Sequence, residues 1–396
     1  MLILKIILLL YIMKILGFFV LCIVKYKKNK ANNLTDDTAE LYSVDIILPM
    51  YNEEAVALKT LLNLLNISYG NFNIIVVDDG STDNSLRLVN EKFGSHPKVK
   101  IIHQENRGKA VALSNALSVS KSDIIISIDA DTLVQPDLIN RFLACFEDKK
   151  VAAVAGYLKV GNRTNLLTKI QHVEYITDAN NDRAIFECIN GIRVIPGAVG
   201  AFRRDILLKI GGYSSDTLTE DNELTLRILC NKYIIKNAPE AVAYTEVPPN
   251  LKIFIKQRSR WKVGTTQVLY KYTKEAYLKS NKTLLFVILP YAWVYKIILP
   301  VVIPIVEYYC LVSLMLFPGS GLLPFYLGFL LMDTVICISI LMKQKEQFSL
   351  MTFVLLQRFL LRNLTLLVYF NVFYKVLKGN LFNWEKIVKY GNSELG

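Results

Sequence analysis

An alternation of short apolar runs with longer amphipathic segments is the feature that most constrains the fold of this chain. The runs have the length and β-branched composition of strands, and the segments between them have helical periodicity. The predicted strands are 45–49, 73–77, 99–102 and 124–128, and the predicted helices are 53–65, 85–93 and 109–119. This repetition predicts an α/β fold, with a mostly parallel sheet covered by helices on both faces. Ligands of such sheets bind at the carboxyl ends of the strands.

Acidic residues follow two of these predicted strands. Asp78 and Asp79 come at the end of the second strand, and Asp129 and Asp131 follow the fourth. Two carboxylates at positions i and i+2 after a buried strand suit Mg²⁺ or Mn²⁺, which can also bind a substrate diphosphate. The alternative is a turn whose aspartates cap a helix that begins near Pro136.

Long apolar segments flank the alternating region. Residues 1–24 are apolar apart from Lys5 and Lys14, and a basic cluster follows at 25–30. This pattern predicts an uncleaved transmembrane anchor with the next segment in the cytosol. A cleaved signal peptide is the alternative, although no small-x-small cleavage site follows the apolar run. Three more apolar segments lie at 284–317, 321–342 and 349–374, and the sequence leaves the number of crossings open.

Charge and hydrophobicity support a membrane location. The formal net charge is +12, and 53% of the residues are hydrophobic. The basic residues gather beside apolar runs and do not form a stripe with interleaved aromatic residues. We therefore expect membrane lipid as a partner and no nucleic acid.

Short motifs follow the predicted strands in a definite order. They are Leu-Pro-Met-Tyr-Asn-Glu-Glu at 48–54, Val-Asp-Asp-Gly at 77–80, Asn-Arg-Gly-Lys-Ala at 106–110, Asp-Ala-Asp at 129–131, Thr-Glu-Asp at 219–221 and Gln-Arg-Ser-Arg-Trp at 257–261. One such motif is common, but six in order are specific. The set resembles the family-two inverting glycosyltransferases of the GT-A fold. Among these it is most similar to the processive membrane synthases of poly-β-1,6-N-acetylglucosamine, and it is also similar to those of hyaluronan, chitin and cellulose. The resemblance covers about residues 44–275 and the flanking membrane segments.

The resemblance implies a nucleotide site on the first strands. Asp79, with Asp78 beside it, is expected to contact the uracil of a UDP-sugar, because a carboxylate accepts a hydrogen bond from an imide N–H. Tyr51 and Glu53 are expected to line the same base pocket. Lys109 is expected at the nucleotide phosphates, and an ordinary solvated lysine at a helix start is the alternative.

The resemblance also implies a metal clamp and a base. Asp129 and Asp131 are expected to hold Mg²⁺ or Mn²⁺, with Asp129 also touching the nucleotide. Asp221 is expected to be the general base that takes the proton of the acceptor hydroxyl, with Glu220 as the second choice. Helix capping by the segment that begins at Thr219 is the alternative.

The segment 257–261 is expected to contact the donor and the acceptor. Arg258 and Arg260 are expected to bind phosphate oxygens, since guanidinium groups match them in a bidentate way. Gln257 belongs to the same motif, and Trp261 offers an apolar face to a sugar ring. A basic helix resting on the membrane interface is the alternative, and both descriptions can hold together.

The expected function is inverting transfer from a UDP-sugar, with UDP-N-acetylglucosamine as the expected donor, to a growing β-linked polysaccharide. Processive elongation and export through the apolar helices are expected. One alternative is a non-processive transferase that adds one sugar to a lipid-linked or short oligosaccharide acceptor. The other is a catalytically inactive membrane polysaccharide-binding or scaffold subunit, although the residues expected as the base and the metal carboxylates and the arginine-tryptophan motif are all present.

The resemblance divides the chain into five parts. They are a transmembrane anchor (1–24), a linker (25–43), a cytosolic GT-A catalytic domain (44–275), interfacial and transmembrane helices (276–375) and a tail (376–396). The expected location is a bacterial-type plasma membrane. An accessory membrane subunit is left open.

Overall fold

The computed structural model describes Gly17 and residues 42–317, 322–378 and 391–395. The rest of the predicted anchor, its basic cluster, most of the linker and part of the predicted tail lie outside the described residues. The strands are β1 (Val44–Met50), β2 (Phe72–Asp79), β3 (Val99–Gln104), β4 (Ile124–Ile128), β5 (Leu133–Val134), β6 (Val151–Val160), β7 (Val199–Arg203) and β8 (Ile234–Thr245).

The helices of the described residues alternate with these strands and then continue alone. They are α1 (Ala57–Leu65), α2 (Ser85–Phe93), α3 (Lys109–Val119), α4 (Leu138–Leu143), α5 (Leu166–Glu174), α6 (Asn181–Phe186), α7 (Arg204–Lys209), α8 (Glu220–Cys230), α9 (Leu251–Leu278), α10 (Leu289–Ala292), α11 (Leu299–Leu316), α12 (Leu322–Lys343) and α13 (Phe353–Leu377). A π-helical turn, Tyr175–Asn180, joins α5 to α6.

The strands form one mixed sheet in the order β3-β2-β1-β4-β7-β6-β8-β5. The four predicted strands are all present, and they pair in parallel, so their carboxyl ends share one edge. Of the later strands, β7 is antiparallel to both β4 and β6, and β6 is parallel to β8. Our prediction of a mostly parallel α/β sheet is confirmed, with antiparallel pairs added in its second half.

Helices cover both faces of the sheet. Ile46 and Ile47 are neighbours in β1, and both are fully buried. Ile46 belongs to an apolar cluster that includes Leu61 of α1, whereas Ile47 belongs to a second cluster that includes Leu113 of α3. Since successive side chains of a strand point to opposite faces, the two clusters are the two cores of the domain.

Helix α1 begins at Ala57 and not at Glu53, as the periodicity predicts. The residues before it form a turn that is tied to the loop after β2. Asn52 has a left-handed φ of 53°, and its Oδ1 accepts a hydrogen bond of 2.6 Å from the Thr82 amide. The Glu53 amide donates a hydrogen bond of 2.6 Å to Ser85 Oγ. These bonds tie the turn at Asn52 and Glu53 to the residues after β2 and fix the start of the loop after β1.

Within the described residues, three helical segments are long and apolar enough to cross a membrane: Leu284–Leu316, Tyr326–Lys343 and Phe348–Leu377. They agree with the three apolar segments of the sequence. Charged side chains form ion pairs between these segments: Arg362 pairs with Glu307, and Arg358 pairs with Asp333. Since an unpaired charge is costly in hydrocarbon, these pairs let the polar face of α13 pack against α11 and α12.

We define the first membrane segment as Leu284–Leu316 and the sheet domain as residues 42–278, and the two are in contact. Lys296 Nζ lies 2.6 Å from Asp178 Oδ1 and 2.7 Å from Asp182 Oδ2. The rings of Tyr291 and Phe186 are 4.6 Å apart. Both carboxylates belong to the stretch formed by the π-helical turn and α6, so this stretch lies directly against the membrane helices.

The turn between α12 and α13 is also held by the sheet domain. Glu346 Oε2 lies 3.1 Å from Nε2 of the buried His172, and Glu346 Oε1 lies 2.7 Å from Lys159 Nζ. Burial opposes the charged form of Glu346, but His172 and Lys159 outweigh it and lower the pKa of Glu346 to about 2. An apolar cluster surrounds this contact; its buried members are Tyr157, Val173, Ile176, Leu341, Leu350 and Val354.

Candidate active site

A cavity of about 420 Å³ opens at the carboxyl ends of β1, β2 and β4. Every site residue predicted from the sequence lines it except Asp78. These lining residues are Tyr51, Glu53, Asp79, Lys109, Asp129, Asp131, Asp221, Gln257, Arg258, Arg260 and Trp261. The strand ends, the start of α8 and the helix α9 therefore bring together residues that are up to 210 positions apart in a shared cavity (51 to 261).

Asp78 and Asp79 have different environments, because neighbouring residues of a strand point to opposite faces. Asp78 is fully buried beside the cavity, and its Oδ2 lies 2.8 Å from His103 Nδ1. Asp79 lines the cavity and accepts hydrogen bonds from the amides of Arg107 (2.8 Å) and Gly108 (2.9 Å). Gly108 has a φ of 92°, which favours glycine. Asp79 therefore also shapes the loop that leads to Lys109.

Asp129 and Asp131 are the candidate metal ligands. Helix α4 begins at Leu138 with Asp137 at its N-cap position, so these two aspartates do not cap it. Asp131 Oδ1 accepts hydrogen bonds from the hydroxyls of Thr132 (3.1 Å) and Thr245 (3.3 Å), which orient the carboxylate.

The donor set fits a divalent cation that shares its shell with a substrate. Within the described residues, no three side chains of His, Cys, Asp or Glu lie close enough together to hold a metal. Mg²⁺ commonly binds through one or two carboxylates, with substrate phosphates and water completing its six ligands. The ammonium group of Lys109 already lies beside Asp129, with Lys109 Nζ 2.5 Å from Asp129 Oδ1. The site therefore favours positive charge beside these carboxylates.

Lys109 is held in the cavity wall by two carboxylates. Besides Asp129, its ammonium group lies 3.2 Å from Glu220 Oε1. Burial disfavours the charged form of Lys109, but Asp129 and Glu220 outweigh it and raise the pKa of Lys109 above its ordinary value. Lys109 is therefore a fixed positive charge and not a solvated surface lysine. Glu220 is occupied by this pair, which leaves Asp221 as the base candidate.

Asp221 lies in the first turn of α8 and faces the cavity. Its Oδ2 accepts a hydrogen bond of 3.2 Å from the Gly197 amide. Thr219 occupies the N-cap position of α8 but makes no side-chain capping bond. Burial, with the neighbouring charge of Glu220, raises the pKa of Asp221 to about 6, although Lys109 opposes the shift. A raised pKa near the working pH suits a general base.

Arg258 lines the cavity, but its guanidinium group is paired within the protein. Its Nη1 and Nη2 donate to the two carboxylate oxygens of Glu174 at 2.8 and 2.6 Å. The guanidinium also lies over the ring of Trp261, 4.8 Å from its centroid. Phosphate binding by Arg258 stays a prediction; in this structure its two terminal nitrogens bind Glu174. The pair joins α9 to the end of α5.

Arg260 and Gln257 keep unused hydrogen-bonding capacity. Arg260 Nε and Gln257 Oε1 are buried and have no hydrogen-bond partner among the described residues. Unpaired buried polar atoms are costly, so such atoms in a cavity wall indicate a ligand. Arg258 Nε is also buried and has no hydrogen-bond partner among the described residues, but the terminal nitrogens of Arg258 bind Glu174, so Arg260 is the better candidate for binding a diphosphate.

Gly264 brings α9 against the start of α8. A Cβ placed on Gly264 would lie 2.6 Å from Thr219 Cγ2 and 2.7 Å from Thr219 Oγ1. Trp261 is three residues before Gly264 and Asp221 is two residues after Thr219. The close approach therefore sets the distance between the helix that carries Arg260 and Trp261 and the helix that carries Asp221.

We expect Gly264→Ala to lower sugar transfer at least about tenfold, because small misplacements of catalytic groups cost large factors in rate. Thr219→Ala removes the two nearest atoms and leaves the Thr219 amide nitrogen, at 3.0 Å from the added Cβ; Thr219 Oγ1 has no partner among the described residues. The double variant should therefore recover most of the loss. Gly328→Ala is the control, since Gly328 is a helical glycine with nothing within 4 Å of its added Cβ. A double variant that is no more active than Gly264→Ala would contradict this packing role.

Sequence reasoning missed several residues of this site. No role was predicted for Glu174, Thr245 or Gly264. A glycine inside a helical pattern is a recognisable signal of close packing, so Gly264 could have been found. Thr245 carries no such signal, because its contact with Asp131 depends on the pairing of β8 with β5 and β6.

Comparisons with known proteins agree with this geometry. The family model for glycosyl transferase family 2 matches residues 45–211. The chain is 29% identical over 282 residues to poly-beta-1,6-N-acetyl-D-glucosamine synthase of Staphylococcus aureus (strain COL), covering 70% of this chain and 68% of that relative. It is 30% identical over 259 residues to the probable glycosyltransferase YdaM of Bacillus subtilis (strain 168), covering 63% of this chain and 62% of that relative.

A solved structure establishes the fold. The mannosyltransferase PcManGT from Pyrobaculum calidifontis, in complex with GDP-Man and Mn²⁺, is similar with a TM-score of 0.58 at 19% identity, covering 90% of this chain and 96% of that chain. At this identity the likeness concerns the fold alone. The family match over residues 45–211 agrees with this fold, and the protein is a glycosyltransferase of the GT-A fold with three helical segments long and apolar enough to cross a membrane within the described residues.

Proposed function

We propose that this protein transfers N-acetylglucosamine from UDP-N-acetylglucosamine, with inversion, to the end of a growing β-linked polysaccharide. The observation that carries the proposal is the convergence of Asp129, Asp131 and Asp221 on one cavity. This convergence supports a diphosphate site beside a base for the acceptor. The name of the Staphylococcus aureus relative, a poly-β-1,6-N-acetylglucosamine synthase, supports this choice of sugar and of polymer.

The nucleotide is expected to bind at the carboxyl ends of β1 and β2. Tyr51, Glu53 and Asp79 line this end of the cavity and offer a ring and two carboxylates to the uracil and ribose. The diphosphate would then reach Lys109, which is held in place, and Arg260, whose Nε has no partner among the described residues. Both cations counter the charge that builds on the diphosphate as it leaves.

Asp129 and Asp131 are the residues that would hold Mg²⁺ or Mn²⁺. The similar mannosyltransferase structure contains Mn²⁺, which supports a divalent ion in this fold. When bound, such an ion neutralises charge on the leaving diphosphate as a Lewis acid. The hydroxyls of Thr132 and Thr245 keep the Asp131 carboxylate oriented for this task.

The transfer step is a single displacement. The acceptor hydroxyl attacks the anomeric carbon of the donor sugar from the side opposite to the diphosphate, and the bond from that carbon to the phosphate oxygen breaks. Asp221 Oδ takes the hydroxyl proton as the new glycosidic bond forms, and UDP leaves with the electron pair. The Gly197 amide holds the Asp221 carboxylate at the cavity.

The membrane helices suit a product that leaves the cell. The catalytic domain would lie on the cytosolic side, where UDP-sugars are made, and the polymer would grow at its non-reducing end. It would pass outwards through the helices between residues 284 and 377. Repeated transfer without release of the chain is part of the proposal.

Donor screening with the full chain in nanodiscs tests the proposal. UDP release and product mass would be measured with UDP-N-acetylglucosamine, UDP-glucose, UDP-glucuronic acid and GDP-mannose, each with Mg²⁺ or Mn²⁺. We expect a ladder of N-acetylglucosamine polymers from the first donor. A product extended by one sugar would refute the processive part, and a product from another donor alone would refute the choice of sugar.

A further inference from the structure

Arg183 is a buried cation without a carboxylate partner among the described residues. It belongs to α6 and its side chain is mostly inaccessible, at 8% relative exposure. Its Nη2 donates a hydrogen bond to Asn180 Oδ1, and its Nε has no partner among the described residues. The adjacent carboxylate of Asp182 is taken by Lys296 and Arg193, at 2.7 and 3.5 Å. Burial lowers the pKa of Arg183 to about 10, which agrees with an incompletely compensated charge.

Arg183 lines the same cavity as Asp221, but at another end. Its partner Asn180 exchanges hydrogen bonds with the backbone of Leu158 in β6, including one of 2.9 Å from Nδ2 to the carbonyl oxygen. In the sheet, β6 lies three strands away from β1, which is about 14 Å. The nucleotide end is built on β1 and β2, whereas α6 lies against the first membrane segment. Arg183 is therefore on the side where a chain bound for the membrane would lie.

The chemistry of this end favours a neutral, oxygen-rich ligand. Glu174 and Asp178 also line it, and although both are paired, their carboxylates disfavour an anion. Tyr175 and Trp261 add aromatic faces on which sugar rings can pack. A guanidinium with open N–H donors in such a setting matches hydroxyl or amide carbonyl oxygens.

We propose that Arg183 is an acceptor-binding residue, which donates a hydrogen bond to a hydroxyl or acetamido oxygen of the glycan between the base Asp221 and the membrane helices. This inference rests on the proposed function, since it assigns the acceptor end of the same cavity. It names a residue that none of the six sequence motifs contains.

Equilibrium binding by the full chain in nanodiscs tests the inference without requiring turnover. The probes are a β-1,6-linked N-acetylglucosamine oligosaccharide of defined length and, separately, UDP with Mn²⁺. Arg183→Gln should weaken oligosaccharide binding about 10- to 100-fold, the range for hydrogen bonds to charged groups, and leave UDP binding unchanged. Arg183→Lys keeps the charge but loses the fork, so it should show a smaller loss of the same ligand.

Arg203→Gln is the matched control. Arg203 is half-buried outside the cavity and donates to the backbone carbonyls of Val151 (3.3 Å) and Phe146 (2.8 Å). Its loss should lower the melting temperature without changing the affinity for the oligosaccharide. In kinetic assays, Arg183→Gln should raise the acceptor KM far more than the donor KM.

The outcomes separate this inference from the proposed function. A wild-type protein that binds the oligosaccharide but makes no polymer from UDP-N-acetylglucosamine would refute the function and leave the acceptor site standing. The inference is overturned if the wild type does not bind the oligosaccharide or if Arg183→Gln binds it equally well. It is also overturned if oligosaccharide and UDP binding weaken together, because that would mean a structural role.

Discussion

Asp221→Asn is expected to reduce sugar transfer about 10²- to 10⁴-fold, the usual contribution of a general base, while UDP binding stays nearly unchanged. The amide has the shape of the carboxylate, and its oxygen can still accept the hydrogen bond from Gly197, which is 3.2 Å from Asp221 Oδ2. It cannot take the proton of the acceptor hydroxyl at neutral pH. Initial rates of UDP release and the UDP dissociation constant would be measured on the same preparation.

Asp216→Asn is the control for this variant. Asp216 is exposed, with 66% of its side chain accessible, and it pairs with Lys271 at 3.1 Å. Exposed pairs contribute little, so its loss should leave the rate near that of the wild type. The pH profile gives a second check: the pKa of Asp221 is raised to about 6, so wild-type transfer should fall as the pH drops through about 6 and the base becomes protonated. Turnover of Asp221→Asn at the wild-type rate would eliminate Asp221 as the base.

Asp131→Asn should abolish the metal dependence of UDP binding and lower transfer about 10²- to 10³-fold. Asparagine can still accept hydrogen bonds from Thr132 and Thr245, so the local packing is kept while the charge that attracts the cation is lost. The dissociation constant for UDP would be measured with Mn²⁺ and with EDTA. The wild type should bind UDP more tightly with Mn²⁺, whereas the variant should give similar values in both conditions.

Asp137→Asn is the matched control for the metal prediction. Asp137 lies six residues further along the chain and pairs with Arg141 at 2.8 Å on an exposed surface. It does not line the cavity of Asp131. This variant should keep the full effect of Mn²⁺. If Asp131→Asn kept the wild-type Mn²⁺ titration, Asp131 would not be a metal ligand.

Local pattern was sufficient to predict the half of the site that is built on parallel strands. The runs that became β1 to β4 are rich in isoleucine and valine, and their carboxyl ends must share an edge when they pair in parallel. The acidic residues that follow β2 and β4 therefore had to meet. The same reasoning could have separated Asp78 from Asp79, since side chains alternate along a strand.

Contacts across long sequence distances were not predictable. Arg258 and Glu174 are 84 residues apart, and Thr245 and Asp131 are 114 residues apart. Each pair depends on how α9 and β8 fold back over the first half of the domain, and no local pattern encodes this. Strand β6 was missed for another reason: its alanines and its glycine lack the β-branched composition of the earlier strands.

The contacts of Glu346 and Lys296 bear on how such proteins can be recombined. Val173 and Ile176 of the sheet domain are covered by Leu341, Leu350 and Val354 from the membrane part, around the bond between Glu346 and His172. The two parts thus share one core and are not independent modules joined by a tether. A chimera that exchanges the membrane helices with those of a relative must also exchange these facing surfaces. Otherwise α5 and the π-helical turn would lose the packing that supports them.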